Sequence, residues 1–172
     1  MRYILVFLTL FFFSNFSYAV EFKGKFKQGS FILGKTKPDS LVTIDEKKVR
    51  VSKDGYFAFG LGRDRKNDVV IRIINNEKLE IFKKKVIKKK YKIQRIDGLP
   101  PKQVIPPKEV YERIRKDNLL IGKARGIDSP LDHFKEKFIK PLDNDIITGV
   151  YGSQRVLNGK PRRPHYGIDF HA

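Results

Sequence analysis

His165 and Asp169 are the residues of this chain best suited to do chemistry together. An imidazole nitrogen and a carboxylate oxygen are both zinc ligands, and a catalytic zinc site takes three protein ligands and leaves the fourth position to water. The 172 residues include three histidines and no cysteine. Thiolate ligands, disulfides, a thiol nucleophile and a lipid-modified cysteine are therefore excluded, and any bound metal must be held by histidine and carboxylate. Pro164 before the pair and Gly167 within it argue against a helix. Four residues of straight strand span roughly 13 Å, too far for two side chains to share an ion. The pair can act as one site only if the chain bends, and Gly167 is where a bend is expected.

The elements that must position this pair begin far upstream. From Ser30 to about Ile87, short β-branched and aromatic runs alternate with turn signals: Phe31-Ile32-Leu33, Leu41 to Ile44, Val49-Arg50-Val51, Tyr56 to Phe59, Val69 to Ile74 and Leu79 to Phe82. Short strands at intervals of about 8–12 residues predict a small antiparallel β-sandwich, here drawn over residues 20–98. Lysine triplets 83–85 and 88–90 flank Val86-Ile87. They read as protection of an edge strand or as an anion-binding patch, with edge protection favoured.

A proline-rich connector follows, with Leu99-Pro100-Pro101 and Pro106-Pro107, and marks a domain boundary. Pro107 suits a helix start, Glu109 suits its positive end, and Val110, Ile114 and Ile121 can share an apolar stripe. The spacing predicts one helix to about Arg125, ending near Gly126, with its stripe packed and its basic face solvated. Connector and helix together occupy residues 99–137. Residues 138–172 are about 35 residues of chain, too few to enclose a core without disulfides or a complete metal site. They are expected to open a longer all-β domain, in which Asn158-Gly159 centres a tight hairpin turn. The predicted fold class is thus mainly β: a sandwich, a linker with one helix, and the start of a second β-domain.

Residues 1–19 carry only Arg2 as a charge, then an apolar run from Tyr3 to Phe13 and Ser17-Tyr18-Ala19. This is the pattern of a secretory signal peptide cleaved after Ala19. The run is short for a membrane span and nothing later is longer, so the mature chain is expected to be exported, with no transmembrane segment. The net charge of +18 points to anionic partners. In an exported protein these are cell-wall polymers, anionic glycolipids or membrane headgroups; no nucleic-acid motif is present.

The stretch Gly149-Val150-Tyr151-Gly152-Ser153-Gln154-Arg155-Val156-Leu157-Asn158-Gly159-Lys160-Pro161-Arg162-Arg163-Pro164-His165-Tyr166-Gly167-Ile168-Asp169 closely resembles the opening of the catalytic domain in lysostaphin/LytM-type zinc metallopeptidases, peptidase family M twenty-three. The rest of the mature chain is similar to exported members of that family in Gram-negative bacteria, where a small β-domain and the stretch Tyr91 to Pro101 precede the catalytic domain. The resemblance covers nearly all of residues 28–172. It implies that His165 and Asp169 are the first two zinc ligands, from a His-x-x-x-Asp motif, with the third in a later His-x-His motif. It also implies zinc as cofactor, a periplasmic or cell-envelope location, and peptide bonds in peptidoglycan stems or cross-links as substrate. In the family the metal polarises the scissile amide and activates a water, while nearby histidines assist.

Residues 1–172 contain no His-x-His motif. The chain is therefore expected to be truncated within the catalytic domain, inactive by itself and weak in zinc affinity. His133 reads as an ordinary surface or interdomain histidine. His171 would face the same way as Asp169 only in a regular strand, and it does not fit the family pattern. Arg162 and Arg163 suit either wall polymer near a cleft or a solvated turn. Two other readings stand beside the enzyme: a non-catalytic wall-binding or amidase-activating relative, and a basic β-module binding anionic polymer.

Overall fold

The computed structural model describes residues 19–105, 107–143 and 145–171. The leader read over residues 1–19 lies, Ala19 apart, outside the described residues. The strands are β1 (Glu21–Lys23), β2 (Phe31–Lys35), β3 (Leu41–Ile44), β4 (Lys47–Val49), β5 (Tyr56–Gly60), β6 (Val69–Asn75), β7 (Lys78–Lys84), β8 (Ile93–Ile96), β9 (Ile147–Gly149), β10 (Gln154–Leu157), β11 (Lys160–Pro161) and β12 (Asp169–Phe170). Helices α1 (Pro101–Val104) and α2 (Lys108–Arg125) lie between β8 and β9. The fold is mainly β, as the sequence predicts.

Two antiparallel sheets, ordered β1-β2-β5 and β4-β3-β6-β7, share one core. Alternation makes this possible, because successive strand side chains point to opposite faces. Val69, Ile71 and Ile73 of β6 turn inward with Val42 and Ile44 of β3, and meet Ile32 of β2 and Phe57 of β5. The lysine-bearing β7 is an edge strand of the four-stranded sheet, where unpaired backbone groups need that protection.

The strand expected at Val49-Arg50-Val51 lies instead at Lys47–Val49. Asp45 and Glu46 both have positive φ (47° and 71°) and close a two-residue hairpin turn, so pairing with β3 resumes at once. Arg50 is then released from the sheet, and its guanidinium donates to the carbonyls of Ser129 and Leu131.

Asp45 is gripped by the forked guanidinium of Arg65 at 2.6 and 3.0 Å and also accepts the Val70 N–H at 3.1 Å. The Arg65 hydrogen bond, set against partial burial, holds the Asp45 carboxyl below its ordinary value. A depressed folded value stabilises the fold above the ordinary aspartate pKa of about 3.9, and this stabilisation is lost as pH falls from there through the folded value. Asp45→Asn should therefore flatten the acid side of the stability profile below about pH 4. Urea unfolding across that range checks it, and an unchanged slope would count against the pairing.

Helix α2 starts after Pro107 and ends at Gly126, as the spacing predicts. Its expected packing is not found. No residue of α2 is buried, and Val110, Ile114 and Ile121 stay 40–45% exposed. The reason lies in the middle turn, where Asp117 and Asn118 occupy the positions that a continuous apolar stripe requires. The connector also forms one helical turn, α1, with Pro101 in its first turn and Val104 buried. Among the described residues no helix is long and apolar enough to cross a membrane.

Strand β8, at the end of the 20–98 segment, pairs in parallel with β10, and β10 pairs antiparallel with β11. Asn158 and Gly159, with φ of 48° and 74°, form the tight turn between β10 and β11. Asn158 also accepts the Leu99 N–H and donates to the Leu99 carbonyl, tying that turn to the start of the connector. Strand β12 pairs with β9. The β8–β10 pairing thus ties the C-terminal segment to upstream chain, while β12–β9 joins two parts of that segment to each other.

Candidate metal centre

Asp169 opens β12 directly opposite Gly149 of β9. A Cβ on Gly149 would stand 2.3 Å from Asp169 Oδ2, so the carboxylate lies over a glycine that leaves it room. His165 lies in the extended segment before β12, fixed at both backbone groups. Its N–H donates to the Ser153 carbonyl at 2.8 Å, and its carbonyl accepts the Gly152 N–H at 2.7 Å. The backbone bends at Gly167, as expected from the sequence, and the two side chains turn toward each other.

His165 Nε2 and Asp169 Oδ1 are 3.2 Å apart. The distance suits an ion pair, yet the approach is not a hydrogen bond: Nε2 is shut off from solvent and has no hydrogen-bond partner. Buried polar atoms are nearly always satisfied, so an orphan of this kind calls for an explanation. Two donors bound at about 2.0–2.2 Å to one tetrahedral zinc stand roughly 3.3–3.6 Å apart. The pair, at 3.2 Å, stands just inside that separation, about 0.1 Å short of the range. An imidazole nitrogen and a carboxylate oxygen are moreover a donor set that zinc accepts, so these two residues fit two corners of a zinc site.

The other histidines lie elsewhere. His133 is exposed and sits 3.4 Å from Glu136. The register between β12 and β9 slips after Asp169, where Phe170 pairs with Ile147, so the strand is not regular. The His171 N–H then bonds the Ile146 carbonyl, and His171 takes no part in the cleft. Among the described residues no group of three or more potential metal ligands comes together.

The pair opens onto a cleft of about 1030 Å³ between α2, β8, β9 and β10. Thr148, Ser153 and Gln154 line it beside His165 and Asp169, with Ile121 contributed by α2. Lys92, Arg125, Arg155, Arg162 and Arg163 line it as well, and among the described residues none of these five pairs with a carboxylate. Arg163 instead covers the Tyr166 ring at 5.4 Å. A hollow of about 360 Å³ on the outer face of β3 and β6 contains no histidine.

Residues that the sequence reading did not single out connect this region to the sandwich. Tyr91 packs its ring against Gly152, whose φ of 86° and missing side chain make room for it: a Cβ there would meet the ring at 2.1 Å. Burial, with Tyr151 nearby, pushes the Tyr91 hydroxyl above its ordinary value. Arg63, from the loop after β5, covers the Tyr91 ring at 4.6 Å. A strained glycine beside tyrosines was the one available signal, and it does not name the arginine.

No family model matches this chain, and no curated protein matches it.

Proposed function

We propose that this chain is an exported zinc endopeptidase of the lysostaphin/LytM type, acting on peptide bonds in the stems or cross-links of peptidoglycan. His165 and Asp169 are two of its protein ligands, and the third belongs to a His-x-His segment that residues 1–172 do not contain. A single contact carries most of the weight: Nε2 and Oδ1 at 3.2 Å, without a hydrogen bond, at the wall of a large cleft. The sequence from Gly149 to Asp169 supports the same class by resemblance.

Zinc, when bound, supplies Lewis acidity and an activated water. The chain's own residues supply the frame. The paired backbone bonds of His165 fix its main chain, Gly149 makes room for the carboxylate, and the bend at Gly167 lies between the two residues. A cleft of about 1030 Å³ accommodates several residues of a peptide, and the five basic side chains lining it suit an anionic polymer.

Calorimetric titration of the full chain with zinc tests the proposal. The expected result is saturable binding of one ion per chain, weaker than the roughly 10–16 kcal/mol of complete structural sites. Absence of any zinc binding would overturn it and favour the wall-binding, non-catalytic reading. Reading the coding DNA past the codon for Ala172 tests the third ligand. A His-x-His motif within about 80–100 further residues would complete a domain of ordinary size.

A further inference from the structure

Arg63 belongs to the sandwich yet spends its hydrogen bonds on the segment that carries His165. Its side chain is only 9% exposed. Nε donates to the Gly152 carbonyl at 2.8 Å and Nη2 to Gln154 Oε1 at 3.3 Å, while Nη1 pairs with Asp64. The guanidinium face lies on the Tyr91 ring. A buried guanidinium needs this full set of partners, because an unpaired charge away from water is costly.

Gly152 bonds His165 directly, and Gln154 holds the chain three residues before it. The Gly152 N–H bonds the His165 carbonyl, so only the Cα of Gly152 separates the arginine's acceptor from the ligand residue's own anchor. Gln154 passes its amide to the Arg162 carbonyl at 2.7 Å, fixing the returning strand that leads into Pro164 and His165. A forked, planar donor meets both acceptors in one fixed geometry while its face stacks on a ring, whereas a lysine offers a flexible point charge without that fork or face.

We propose that Arg63 is a positioning residue for His165, so that the β-sandwich is a working part of the metal centre and not a separable module. The arginine sets the Gly152 turn and the Gln154 strand, and these set the imidazole. The part of this inference that concerns metal rests on the zinc reading above; the part that concerns backbone order does not.

The test uses the full chain with Arg63→Met and Arg63→Lys. In the metal-free protein, hydrogen exchange at the Gly152 and His165 amides should rise at least about tenfold in Arg63→Met, while Ile71 and Ile73 in β6 keep their protection. Cobalt(II), which takes zinc's ligands and absorbs visible light, should bind about tenfold more weakly, as expected when a residue supporting a ligand is lost. Arg63→Lys should fall between wild type and Arg63→Met in both readouts, and it carries the test if Arg63→Met fails to fold.

Wild-type exchange in the folded variants would overturn the proposal. So would faster exchange with unchanged cobalt affinity and spectrum, since Arg63 would then dock the segment without positioning the ligand. His165→Ala is measured first. If it leaves cobalt binding unchanged, the zinc reading itself has failed, before any Arg63 variant is considered.

Discussion

Replacing Phe57 by alanine should remove about 3–5 kcal/mol of folding stability, the usual cost of deleting a fully buried phenylalanine ring. Phe57 has no exposed surface and stands where the two sheets meet. Its ring meets Phe22 edge-on at 6.2 Å and stacks with Phe59 at 6.5 Å. Across the strand pair its partner is Gly34, and a Cβ on that glycine would come within 2.2 Å of the ring. The ring therefore fills space that Gly34 leaves open, and Gly34 has no side chain to fill it once the ring is gone. Domains of this size have about 5–15 kcal/mol in total, so the loss takes a large part of the whole. At roughly 4–8 °C per kcal/mol, the melting temperature should drop by about 12–40 °C. Thermal unfolding followed by circular dichroism measures this directly, and a drop under about 4 °C would mean that the core is organised around other residues.

The sandwich was legible because its signal is local. Val69, Ile71 and Ile73 alternate with residues of the outer face, and each strand is bounded by turn residues, so pattern and pleat agree. The Asn158-Gly159 turn was legible for the same reason, since that dipeptide favours positive φ at both positions. The turn at Asp45-Glu46 was less so, because glutamate at positive φ carries no sequence signal, and β4 therefore starts earlier than its apolar residues suggest. The helix ends are legible in Pro107 and Gly126, but Val110, Ile114 and Ile121 do not by themselves make a packing face, because Asp117 and Asn118 interrupt the stripe. At the site, the bend at Gly167 follows from residue types and spacing, while the ligand roles expected of His165 and Asp169 rest on the resemblance of Gly149 to Asp169 to a known motif. Gly149, Arg63, Tyr91 and Gln154 did not, because each acts through tertiary proximity to residues 20 to 91 positions away. The parallel pairing of β8 with β10 is equally invisible to any local pattern.

The largest effect is expected at the donor pair itself. His165→Ala and Asp169→Ala should each reduce zinc affinity well beyond the roughly 10–100-fold that follows the loss of a mere supporting partner, because each removes a ligand outright. Asp169→Asn keeps the side-chain shape but replaces an anionic oxygen by a neutral amide, so its loss should be nearly as large. Stability should respond differently. His165 Nε2 makes no hydrogen bond, and Asp169 is 60% exposed at its side chain, so the fold gains little from either group. Changes of this kind, away from caps and core, usually stay within about 0.5 kcal/mol. Lost affinity with retained stability is the signature of residues kept for metal and not for folding, and calorimetric titration beside thermal unfolding measures both. If either alanine variant binds zinc as wild type does, the centre lies elsewhere and the basic cleft is left as a binding surface. If affinity and stability fall together, the pair supports the local fold, and its 3.2 Å contact must be explained as structure.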